Sequence, residues 1–214
     1  MLQLSAIERS ATFDPTGRYR YSLGRRWSAA PTLAIIMLNP SQADSSVDDP
    51  TIRRCTGLAM GWGFGAIAVV NLFAYRSPHP KALRQADDPI GSENDAVLSE
   101  TARQADQILL AWGNWGSWLG RDRTVLTLLT PHQTKCRCLG QNRTGQPRHP
   151  LYIPRHTPLQ PWILQAPATP LPPHSPTPAC RAPDTPRRPP QFPAQSQTNA
   201  PTRPPSAGWE TCQK

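Results

Sequence analysis

The sequence predicts an α/β fold: three α/β/α layers around a short, mostly parallel, four-stranded sheet, preceded by an N-terminal strand or hairpin and followed by a disordered Pro-rich tail. Three observations carry this. Four short apolar runs, at 33–38, 66–70, 107–112 and 135–139, have the length of buried strands and fall far short of a membrane span. Helix-period patterns separate them, and such alternation builds a parallel sheet with helices on both faces. Each run also empties into a loop holding Asn, Arg, His or Gly. In a parallel sheet those loops gather along one edge, where they can form a single site.

Taken in order, residues 1–32 are polar and include GRYRYSLGRRW, Gly17 to Trp27. Tyr19, Tyr21 and Leu23 alternate with Arg18, Arg20 and Ser22, which is strand periodicity, and Gly24 is expected to break it. The arginines form either a solvated face or an edge that contacts phosphate. The stretch LAIIMLNPSQADSSVDDPTIRR, Leu33 to Arg54, follows. Its apolar run stops at Asn39-Pro40, because proline cannot donate to a sheet ladder. Asp48 or Asp49 then caps a helix with Pro50 in its first turn and Ile52, Cys55, Leu58 and Ala59 at helical spacing. Gly61, Gly63 and Gly65 end that helix. The spacing GWGFG follows a helix and precedes a strand, the reverse of the dinucleotide-binding order, and is rejected as a nucleotide loop.

The run Ala66–Val70 opens into Asn71, Tyr75 and Arg76. A helix beginning at Ser92 or Asn94 leads to the strand Gln107–Trp112, which ends in GNWG. A short helix over Trp118–Leu129 leads to Lys135–Leu139, which ends in GQNRTGQPRHPLY. Beyond Trp162 the pattern collapses: residues 165–214 hold 14 of the chain's 27 prolines and no periodicity. Such a segment cannot bury enough apolar surface to offset its ordering entropy. The expected organisation is one α/β domain over 1–164 and a disordered tail over 165–214.

The formal charge of +9 and a pI of about 10.0 favour a polyanion partner, although charge speaks to association and not to fold. The five cysteines are odd in number, and the one-residue gap between Cys136 and Cys138 is not a zinc-knuckle spacing. They read as reduced thiols of a cytoplasmic protein, with Cys136 and Cys138 on one strand face. The N-terminus has no signal-peptide core. Neither a cofactor nor a metal centre is expected, and no membrane contact.

The motifs YRYSLGRRW, IIMLNPSQAD, DDPTIRRC, WGFGAIAVVNLFAYR, DDPIGSENDAVL, AWGNWG and GQPRHPLY together resemble a bacterial and phage family catalogued as a domain of unknown function, number sixteen forty-three. The resemblance spans roughly residues 10–162 and carries no activity. Where relatives often show Lys before GxPRHP, this chain has Asn142-Arg143, which keeps a positive charge and changes its geometry. The Pro-rich tail does not look like the family's ending.

More distantly, the order strand–Asn-Pro, strand–Asn, strand–Gly, strand–His-Pro resembles the uracil-DNA glycosylase superfamily, three-layer α/β/α enzymes with a short parallel sheet. That resemblance implies that Asn39 handles an attacking water, Asn71 reads a base edge and His149, before Pro150, meets a flipped nucleotide. In that role His149 stabilises the departing base anion, and Asn71 pairs with an imide edge. Tyr75 or Phe73 stacks on the base. Arg53, Arg54, Arg76, Arg143 and Arg148 hold phosphates, which position a strand without reading its sequence. Each residue has a plainer alternative: an Asx turn at Asn39, a cap at Asn71, an exposed loop histidine at 149. Asp44, Asp48 and Asp49 are caps and partners for Arg53 and Arg54, or a divalent-metal site. Trp112, Trp115 and Trp118 read as packing. The function classes that follow are an N-glycosidic hydrolase acting on nucleic acid, a non-catalytic nucleic-acid or nucleotide binding domain, and an enzyme of free nucleosides.

Overall fold

Aliphatic runs flanked by Pro and Gly become the strands of a single sheet. The computed structural model describes residues 6–78 and 80–163. These lie in one compact unit, Met1–Thr169. The expected tail, 165–214, lies outside the described residues.

The strands are β1 (Glu8–Phe13), β2 (Arg20–Arg26), β3 (Thr32–Met37), β4 (Ala66–Asn71), β5 (Gln107–Leu110), β6 (Cys136–Cys138) and β7 (Gln160–Pro161). The helices are α1 (Pro50–Gly61), α2 (Pro80–Leu83), α3 (Asn94–Gln104) and α4 (Arg121–Leu128). Among the described residues the sheet has seven strands, in the order β1-β2-β4-β3-β5-β6-β7, which corrects the expected four. β4, β3, β5 and β6 are mutually parallel. Antiparallel β1 and β2 extend one side, and β7 pairs antiparallel with β6 on the other.

Period-2 alternation divides each central strand between two cores. Leu33, Ile35 and Met37 of β3 pack with Ile52, Cys55, Leu58 and Ala59 of α1. Ala34 and Ile36 pack on the opposite face with Leu98 and Ala102 of α3 and Val125 of α4. Asp49 caps α1, its carboxylate accepting from Ile52 N–H at 2.8 Å, and Pro50 occupies the first turn.

The placement of the helices follows from connection handedness. A crossover between parallel strands is nearly always right-handed. From β3 the chain moves to β4 on one side, and from β4 it moves across to β5 on the other. The reversal sends α1 to one face and α3 and α4 to the other, and it creates a switch point between β3 and β5.

Two other expectations change. Gly24 does not break its strand: β2 runs through it opposite Ser10, and any Cβ would collide with the Ser10 hydroxyl. The helix expected from Trp118 begins at Arg121. Trp118 is extended and Leu119 and Gly120 are left-handed, so the Gly113–Gly120 segment is kinked and distinct.

Candidate functional site at the switch point

Outside the carboxyl ends of β3 and β5 lies a hollow of about 630 Å³. Asn39, Trp115, Arg148, His149 and Tyr152 are among its lining residues. Each comes from a loop that follows a parallel strand.

Pairing continues past the end of β3, where Leu72 N–H and Phe73 N–H donate to the Met37 and Leu38 carbonyls. Proline at 40 ends it. The Asn39 amide then donates through Nδ2 to the carbonyls of Pro40 (3.0 Å) and Ser77 (2.8 Å). Both amide protons are committed, so Oδ1 is the group Asn39 has to offer, and it is an acceptor.

His149 comes from the other side. The chain after β6 doubles back in a tight turn, with Asn142 N–H donating to Gln146 O at 2.8 Å and Gly145 at φ +79°. Only glycine holds that backbone conformation without strain. Gly113 N–H donates to Pro147 O at 3.0 Å, tying the loop after β5 to this turn. His149 Nδ1 accepts from Leu151 N–H at 3.3 Å, capping the short turn Pro150–Tyr152. A ring that accepts at Nδ1 carries its proton at Nε2 when neutral. Burial lowers the His149 pKa, and the Asp49 carboxylate partly opposes this. The imidazole is therefore neutral at pH 7, with an Nε2–H to donate.

A polar chain missed in the sequence holds this wall. Trp112 Nε1–H donates to Gln146 Oε1 (2.5 Å), and Gln146 Nε2–H donates to Asp122 Oδ2 (2.6 Å). Any Cβ at Gly116 would overlap the Trp112 ring. Asn94 and Arg121 are likewise structural, donating to the carbonyls of Asn71 and Leu72 where β4 ends. At the mouth Tyr152 is 83% exposed, and the Trp115 ring carries the Arg84 guanidinium 4.3 Å from its centroid.

The remaining expected site residues are dispersed. Asn71 is 1% exposed and is absent from the lining of this hollow, with its Nδ2 buried and unpartnered among the described residues. Phe73 is buried against Trp118, 4.9 Å between centroids, and is not open to a base. Tyr75 and Arg76 line a separate hollow. Arg53 donates to Asp48 O (2.6 Å), and Arg54 donates to Pro150 O and Ile153 O, so both are engaged by main-chain carbonyls. Arg143 is exposed and absent from the lining, whereas Arg148 lines the hollow and donates to Gln141 O at 3.3 Å.

The acidic stretch also differs from expectation. Asp48 pairs with Arg25 (2.7 Å) and Arg9 (3.0 Å), not with Arg53 or Arg54. Asp44 closes a turn whose Ser46 and Val47 N–H groups hold its carboxyl down at about 2. Among the described residues no group of His, Cys, Asp and Glu is arranged to hold a metal ion. No described helix is long and apolar enough to cross a membrane. Arg20 and Arg25, expected at the surface, are buried in β2.

The chain belongs to a family of proteins of unknown function, DUF1643, whose model matches residues 20–151. That span runs from β2 to the turn after His149. No curated protein matches the chain.

Proposed function

We propose that this member of the family hydrolyses N-glycosidic bonds in nucleic acid, taking a flipped, deaminated or otherwise modified base into the hollow between β3 and β5. The supporting observation is that Asn39 and His149, from separate loops, line one hollow at the switch point. Its volume of about 630 Å³ suits a ligand of nucleoside size. The motif order of the uracil-DNA glycosylase superfamily supports the same reading. A cytoplasmic location and a basic surface that meets phosphates belong to it as well.

In this reading the sugar–base bond breaks with its electron pair on the base, and a water oxygen bonds to the sugar carbon. One water proton ends on the departing base. Asn39 Oδ1 accepts a hydrogen from that water and aims its lone pair at the sugar. His149 Nε2–H donates to the base carbonyl on which negative charge develops. Neither residue changes its protonation state. Tyr152 and Trp115 offer aromatic surface at the entrance.

The test is the full chain incubated with single-stranded oligonucleotides carrying one deoxyuridine, scored for abasic sites by alkaline strand cleavage. Wild type is expected to leave abasic sites. The Asn39→Ala, His149→Ala double variant is expected to lose at least ~10²-fold, the usual cost of removing such a stabilising group. Unchanged activity in the double variant removes these residues from the mechanism. Salt-dependent binding with no product on any modified base favours the binding-domain alternative. Competition by mononucleotides as effective as by oligonucleotides favours a free-nucleoside enzyme.

A further inference from the structure

A second hollow, about 390 Å³, lies beside the first; Arg18, Ser41, Tyr75 and Arg76 are among its lining residues. The two share a wall. Asn39 lines the first and donates to Ser77 O, and Ser77 lines the second with its own N–H on Pro40 O at 2.9 Å.

The charged residues that line this second hollow are Arg18 and Arg76, both basic. Among the described residues neither Arg18 nor Arg76 has a carboxylate in ion-pair contact. Arg76 donates to Gly17 O at 3.2 Å and lies over the Phe13 ring, with its Nε buried and unpartnered among the described residues. Arg18 lies over the Tyr75 ring, 5.7 Å from its centroid. Arg20 is buried, and burial brings its pKa down to about 10, with Arg76 and Arg25 adding to the effect and the Asp49 and Asp44 carboxylates opposing it. The Asp44 carboxylate feels Arg76, but its Oδ1 is already taken by Ser46 and Val47 of its own turn. Two guanidiniums from separate loops and the Ser41 hydroxyl around an open hollow match a tetrahedral oxyanion with several acceptor oxygens.

We propose that this second hollow binds the phosphate of a nucleotide whose base occupies the first, on the other side of the Asn39–Ser77 wall. The inference rests on the hydrolase reading for what fills the first hollow. It makes the substrate a nucleotide within a strand, held by its base and by a neighbouring phosphate.

The test uses the full chain, a fluorescein-labelled single-stranded oligonucleotide containing deoxyuridine, and anisotropy over a salt series. Arg18→Gln is the primary variant, because Arg18 is exposed. It is expected to weaken oligonucleotide binding roughly tenfold and to lower the salt slope by about one, while binding of the free nucleoside deoxyuridine stays unchanged. Inorganic phosphate at constant ionic strength is expected to compete for the wild type and to lose that effect in Arg18→Gln. Unchanged oligonucleotide affinity and slope in Arg18→Gln overturn the proposal. So does a phosphate effect that depends on Arg18 while oligonucleotide binding does not, which marks a free-phosphate site. Arg18-dependent binding without abasic product sinks the hydrolase reading and leaves the phosphate site standing; abasic product without Arg18 dependence does the reverse.

Discussion

At the scale of residues, the state of His149 decides what the hollow can do. Its Nδ1 is occupied by the Leu151 N–H, and burial disfavours the imidazolium. In the unfolded chain the ring titrates near 6.5, and in the folded protein below it. The unfolded state then binds the proton first as pH falls. The contribution of His149 to stability is intact above pH 6.5 and declines between 6.5 and the folded value. NMR titration of the ring is expected to give a midpoint below 6.5 with the Nε2–H tautomer above it; a midpoint above 6.5 removes the neutral donor from the account. Asn39 stands out in the sequence as the polar break after an apolar run, whereas His149 lies well past Leu139 and is marked only by the His-Pro motif of the more distant resemblance. Gln146, Asp122 and Trp112 were not. Their hydrogen bonds join residues 34 and 24 positions apart, and no local pattern announces such a pair. Arg20 and Arg25 were misread for a related reason. Alternation names two faces of a strand without saying which is buried, and arginine is rarely the buried one. Here Arg25 is satisfied by Asp48 and by the carbonyls of Gly24 and Asp44.

Among elements, the site depends on how α1 is joined to the loop after β6. Arg54, on α1, donates to the carbonyls of Pro150 and Ile153 and so pins the turn that follows His149. Arg54→Met keeps much of the aliphatic bulk and removes both bonds, leaving the part-buried carbonyls without their donor. The expected result is faster amide hydrogen exchange at Leu151 and Ile153 with little change in the β3 amides. Exchange at Leu151 that is unaltered means that the turn holds itself. The parallel strands and α1 were readable, since apolar runs, a capping Asp and Pro50 agree on them. The outer strands were harder. β1 is a polar edge strand, ERSATF, and β7 has two residues, one of them proline, as suits an edge that needs few ladder bonds. The Trp118 segment misled because its spacing is helical while Leu119 and Gly120 require left-handed backbone.

For the whole molecule, topology places the hollow. The order β4-β3-β5-β6 reverses direction between β3 and β5, and the loops that diverge there leave the hollow between them. Family membership over residues 20–151 takes in every strand of that parallel core and the loop carrying His149. The chain's formal charge is +9, and arginines line both hollows. The proposed hydrolysis requires that a nucleobase enter the hollow between Asn39 and His149. That step is tested most directly by titrating the ¹⁵N-labelled full chain with deoxyuridine and following amide shifts. A base entering the hollow is expected to move the Asn39 side-chain amide and the Gly113 and Leu151 backbone amides together, saturably, with one Kd. Saturable shifts elsewhere with these three unmoved would contradict it.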